Sequence, residues 1–119
     1  MGRTNEFTLV ADADFTGKLG HAVVVKAEMV HKTPVGTIAT AGQAIDGIVT
    51  DITAGAPQVL AVAKVGDIVF ACVGAGGVTV GDELVVADGG KLIKAGEGVA
   101  VAKALATGVE NELVPVIIK

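Results

Sequence analysis

The chain has 119 residues, enough for one domain, with 51% hydrophobic residues, 3% aromatic residues and a formal net charge of −4. Its 18% of charged residues exclude a disordered polyelectrolyte, and no apolar run approaches the roughly 18 residues of a membrane-spanning helix. Thirteen acidic against nine basic residues, with three Phe and neither Trp nor Tyr, leave no excess positive charge and few stacking surfaces with which to hold nucleic acid.

In chain order, residues 1–18 differ from the rest. They mix Arg3, Asn5, Glu6, Asp12, Asp14 and Lys18 with Phe7, Leu9, Val10 and Phe15, and hold two of the three aromatics. Glu6-Phe7-Thr8-Leu9 alternates like a short strand but has too few neighbours to order itself, so the segment is predicted to be an extended N-terminal arm ordered by a partner. No apolar stretch follows the charged N-terminus, which predicts a chain without a secretory leader, soluble and made in a cytoplasm. From residue 19 to 119, short Val/Ile runs broken by Gly every eight to twelve residues or so predict an all-β domain, a small β-barrel or β-sandwich. The expected strands are Ala22–Lys26, Ala44–Thr50, Gln58–Ala63, Asp67–Val73, Glu83–Ala87, Lys91–Lys94, Val99–Leu105 and Leu113–Ile118. Asp88-Gly89 between Leu84-Val85-Val86 and Leu92-Ile93 is the strongest hairpin signal. Val65-Gly66-Asp67-Ile68-Val69 is echoed by Val80-Gly81-Asp82-Glu83-Leu84-Val85. In each echo Gly is expected to supply a positive φ, and Asp to cap a free amide before the next strand.

Reactive chemistry is sparse. The chain has no serine, which excludes a Ser-His-Asp hydrolase. Cys72 lies inside the apolar run Ile68–Val73 and reads as a small buried hydrophobe. His21 and His31, ten positions apart, match no short metal-ligand spacing, so neither a metal nor a cofactor is expected. Asp12-Ala13-Asp14-Phe15-Thr16-Gly17 begins like a calcium loop, but its twelfth position is Val23 where a bidentate Glu is needed, and an Asx-type turn is preferred. Gly74-Ala75-Gly76-Gly77 leads into Val78-Thr79-Val80 rather than a helix, so it lacks the setting of a phosphate cradle.

The succession Ala41-Gly42-Gln43-Ala44-Ile45-Asp46-Gly47-Ile48-Val49, Val65-Gly66-Asp67-Ile68-Val69, Val80-Gly81-Asp82-Glu83-Leu84-Val85-Val86-Ala87-Asp88-Gly89-Gly90-Lys91 and Ala95-Gly96-Glu97 resembles the capsid cement (head decoration) proteins of tailed bacteriophages, from about Gly20 to Lys119. The resemblance implies a non-catalytic β-barrel-like protein that binds major capsid protein on the outside of an expanded head. It would do so as a trimer, stabilising the virion against the pressure of packaged DNA. The capsid-contact candidates are Arg3, Asn5, Phe7, Leu9 and Phe15, with the arm adding a strand to an exposed sheet edge; a crossing to a neighbouring subunit of the trimer is the other reading of the arm. The competing function class is a small-ligand-binding or carrier β-domain. A sugar site would need exposed Trp or Tyr, which the chain lacks.

Overall fold

The structure is a computed structural model that describes residues 7–55, 57–96 and 99–119. It is all-β. Among the described residues ten strands run β1 (Phe7–Ala11), β2 (Ala22–Val30), β3 (Thr33–Ile38), β4 (Gly47–Ile52), β5 (Val59–Ala63), β6 (Ile68–Cys72), β7 (Glu83–Val86), β8 (Leu92–Lys94), β9 (Ala102–Ala104) and β10 (Leu113–Ile118). The first five close a barrel in the order β1-β3-β2-β4-β5, and the last five form a sheet in the order β6-β10-β9-β7-β8. Among the described residues no helix is long and apolar enough to cross a membrane.

The segment expected to be an arm ordered by a partner is instead, from Phe7 onward, a stave of the chain's own barrel. β1 pairs antiparallel with β5 (Leu9↔Leu60) and parallel with β3 (Val10↔Val35), and so closes the barrel. The physical reason lies in β3, a strand absent from the sequence-based expectation. Pro34 and Gly36 weaken its strand signal, yet Pro34 sits near the hairpin end. Gly36 lets β3 approach β1 closely, since a Cβ there would come within 2.7 Å of the Leu9 side chain. With β3 in place, β1 has two partners rather than none.

Two cores result. Leu9, Phe15, Val23, Val49, Leu60 and Val62 fill the barrel. Ala22, Ile48 and Ala63, on the outside of the same staves, pack against Val69, Ala71, Leu84 and Val116 of the sheet. Successive residues of a strand face opposite sides, so Val23 and Val49 enter the barrel while Ala22 and Ile48 enter the joint core. That double burial explains why these strands read as continuous apolar runs. Their small Val and Ala side chains suit a barrel of only five staves.

Other boundaries are shorter than expected. β4 begins at Gly47 rather than Ala44, and β9 is confined to Ala102–Ala104. Ahead of β4, the Asp46 carboxylate accepts the Val25 amide at 2.7 Å, substituting a side chain for the missing strand partner. Asp88-Gly89 does join β7 to β8, as a 3-10 turn over Asp88–Gly90 with Val86 opposite Leu92.

One turn geometry recurs. In Lys64–Asp67 and Thr79–Asp82 the fourth amide donates to the first carbonyl (3.0 Å each). Gly66 and Gly81 hold φ of 95° and 91°, and the Asp67 and Asp82 carboxylates accept the first amide at 3.2 and 2.9 Å. Thr40–Gln43 repeats it with Gln43 Oε1 as acceptor, and Val109–Glu112 with Glu112 Oε1 as acceptor and Asn111 in the Gly position at φ 70°. In all four the third amide also donates to another strand or its extension: Gly42 to Val86, Gly66 to Ile118, Gly81 to Ala104, and Asn111 to Val73. Each turn therefore both reverses the chain and ties it laterally.

Candidate interaction surface

Of the five contact residues expected from sequence, Arg3 and Asn5 lie outside the described residues. Phe7 is half-buried against the barrel core, and Leu9 and Phe15 are fully buried within it (0% and 1% exposed). Leu9 and Phe15 therefore cannot fill pockets on a partner while the barrel is closed. Burial follows from β1 entering the barrel with Leu9 inward. The chain after β1 then folds over, with the Ala11 amide on the Gln58 carbonyl (2.9 Å) and the Phe15 amide on Gln58 Oε1 (2.6 Å).

The titratable groups singled out in the sequence are dispersed or enclosed. His21 is buried, and its Nδ1 lies 3.1 Å from the Leu19 carbonyl, an acceptor that requires the proton on Nδ1. Burial holds the imidazole pKa below its ordinary value. His31 is exposed at the tip of the β2–β3 hairpin. Burial pushes the Cys72 thiol up, the reverse of what activates a nucleophile. Asp14 accepts the Thr16 amide at 2.9 Å in an exposed Asx turn, and hydrogen bonds from Thr16 hold its carboxyl below the usual range. Asp12, by contrast, faces Lys26 at 3.7 Å. Among the described residues no three His, Cys, Asp or Glu side chains come together as a metal site. Gly74–Gly77 closes as a turn, with the Gly77 amide 3.3 Å from the Gly74 carbonyl.

One part of the surface is markedly apolar. Where barrel meets sheet, a groove of about 280 Å³ is lined by Leu19, Val49, Thr50, Ile68, Phe70 and Leu113. Leu19 and Leu113 also border a wider cleft of about 490 Å³ that runs past Gln58, Asp51 and Asn111. Strand β6, at the sheet edge, supplies Ile68 and Phe70, which opposes Pro115 of β10. A second exposed feature is the β2–β3 hairpin, whose ladder shifts between Lys26 and Met29 and whose tip carries Met29, Val30, His31 and Lys32. Sequence reasoning missed both. The readable signal for the first was that Ile68–Cys72 and Leu113–Ile118 are apolar at odd and even positions alike. A strand with one wet face alternates instead.

The sequence matches no protein-family profile and no curated protein. Among solved structures, the fold is similar to the one titled "The crystal structure of head fiber gp8.5 N base in bacteriophage phi29". The TM-score is 0.73 at 16% sequence identity, with 96% of this chain and 92% of that chain covered. At that identity the likeness is one of fold, and it extends over nearly the whole of both chains.

Proposed function

We propose that this protein is a structural component of a tailed-bacteriophage head, a decoration or cement protein made in the host cytoplasm. It binds major capsid protein on the outer surface of the expanded shell as a trimer and stabilises the shell against internal DNA pressure. The observation that carries this reading is the near-complete fold likeness to the base of a phage head fiber. The chemistry is compatible with a non-catalytic role: the lone thiol is buried with its pKa raised, and one of the two imidazoles is buried with its pKa lowered.

The mechanism is differential affinity. A protein that binds the expanded lattice better than the unexpanded one shifts the equilibrium toward expansion by the ratio of the two affinities. Trimeric attachment multiplies that effect, because the second and third contacts are intramolecular. Of the proposed contact segment, Arg3 and Asn5 precede β1 in the sequence and lie outside the described residues.

Co-sedimentation with expanded and unexpanded heads tests the proposal. Saturable binding to expanded heads, at least tenfold weaker to unexpanded ones, is expected; equal binding to both, or none, overturns it. Deleting residues 1–6 is expected to weaken attachment while leaving the fold intact, and unchanged attachment would remove Arg3 and Asn5 from the contact.

A further inference from the structure

The outward face of β6 and β10, extended by Leu105 just past β9, is an apolar sheet surface. Directly opposed residues of antiparallel strands point to the same side. Phe70 therefore stands beside Pro115, and Leu105 lies beyond it, its amide on the Pro115 carbonyl at 2.9 Å. The next row is Ile68, Ile117 and Lys103, with Glu83 opposite Lys103 on β7. Ile68 is 65% exposed, Phe70 60%, Leu19 and Leu113 45% each, and Leu105 40%. Among the described residues, the patch formed by Leu19, Leu113, Phe70, Pro115 and Leu105 is apolar; charge borders it at Lys103 and Glu83 on one side and at Asp51, across the cleft that Leu19 and Leu113 share, on the other.

We infer that this face is where one copy of the chain packs against another. The inference rests on the proposed trimer and names the surface that builds it. Three observations favour a second copy over the shell as occupant. First, both faces of β6 and β10 are apolar, the pattern of strands covered on both sides, and the inner face is already taken by the joint core. Second, the five exposed side chains present on the order of 500 Å² of apolar surface, a large share of the roughly 800 Å² that each partner contributes to a standard interface. So apolar a patch is typical of partners that meet at synthesis, as copies of one chain do, rather than of partners that circulate separately beforehand. Third, the chain carries a net charge of −4, so two copies repel wherever acidic surfaces meet; a patch without charge lets them approach without that cost. The groove between Leu19, Val49 and Leu113 is a ready socket for an apolar side chain of the neighbour.

Light scattering on the full chain, coupled to size exclusion, tests the surface. The native chain is expected at a multiple of 11.7 kDa. The double variant Ile68→Asp/Phe70→Asp is expected at the monomer mass, with the association constant lowered at least 100-fold; Met29→Asp on the distant hairpin should leave the mass unchanged. Leu105→Lys, at a separate point of the same face, guards against a folding defect in the first variant, and circular dichroism checks both. A monomeric native chain overturns the inference. So does an oligomeric native chain whose Ile68/Phe70 and Leu105 variants, both folded, keep their mass. If those variants stay oligomeric but lose attachment to expanded heads, the face belongs to the shell contact, and the inference fails while the head-protein reading stands. If the native chain fails to attach to expanded heads while the double variant becomes monomeric, the surface stands and the head-protein reading falls.

Discussion

Among the described residues His21 is the one buried polar side chain, and it sits where the barrel joins the sheet. Its amide donates to Lys18, its carbonyl accepts the Val49 amide at 3.0 Å, and the adjoining Gly20 carbonyl accepts the Cys72 amide at 2.9 Å. Burial favours the neutral ring, opposed by the Leu19 carbonyl and supported by the nearby positive charges of Lys18 and Lys91, so the folded-state pKa lies below the ordinary 6.5. Between those two values the unfolded chain binds the additional proton. Stability is therefore full above pH 6.5 and declines as pH falls toward the folded-state pKa. Thermal melts are expected to fall between pH 7.5 and pH 5.5 in the native chain and to be flatter in His21→Gln. An identical slope in both would show that another group controls this window. Gly66-Asp67 and Gly81-Asp82 were legible because Gly and Asp announce a positive φ and an amide cap, whereas Asn111 with Glu112 performs the same task in residues that do not stand out.

At the level of elements, the β2–β3 hairpin and β1 show what local pattern conceals. The hairpin turns through His31 and Lys32, both in the left-handed region at φ 49° and 65°, where Asn-Gly would be the ordinary choice. Replacing His31-Lys32 by Asn-Gly removes part of that strain and is expected to stabilise by about 1 kcal/mol, read as a melting temperature a few degrees higher. No rise would mean that the turn is held at no cost by its surroundings. β1 was legible as an alternating stretch, but its place was not, since its partners are β3 and β5, about 25 and 50 residues away in sequence. Deleting residues 1–11 is therefore expected to unfold the barrel, in contrast to deleting 1–6; a truncated chain that keeps a cooperative melt would return β1 to the status of an arm. Pro115 is tolerated inside β10 because its chain groups face β9 just past Ala104, where the ladder ends, so no bond to β6 is lost.

At the scale of the whole molecule, barrel and sheet share one core. Ile48 belongs to a barrel stave yet is buried with Leu84, Val116 and Ile118 of the sheet. Ile48→Ala is expected to cost about 2–5 kcal/mol and to lower a single, probe-independent unfolding transition. Two separable transitions, only one of them shifted, would show that barrel and sheet unfold independently. The shared core also frames the proposed self-association, because β6 and β10 carry the joint core on one face and the exposed apolar surface on the other.

Fold class and most strands could be read directly, because Val/Ile runs, Gly punctuation and Gly-Asp turns act through neighbours a few positions apart. Leu9 and Phe15 could not be assigned from the chain alone: an apolar residue near a terminus looks the same whether it waits for a partner or fills the protein's own interior. Closure of the barrel decided that question, since strand pairing joins residues that the chain separates by dozens of positions. The same closure turned one side of β4 toward the barrel interior and the other toward the sheet. Packing of barrel on sheet left the outer side of β6 and β10 as the apolar surface still uncovered.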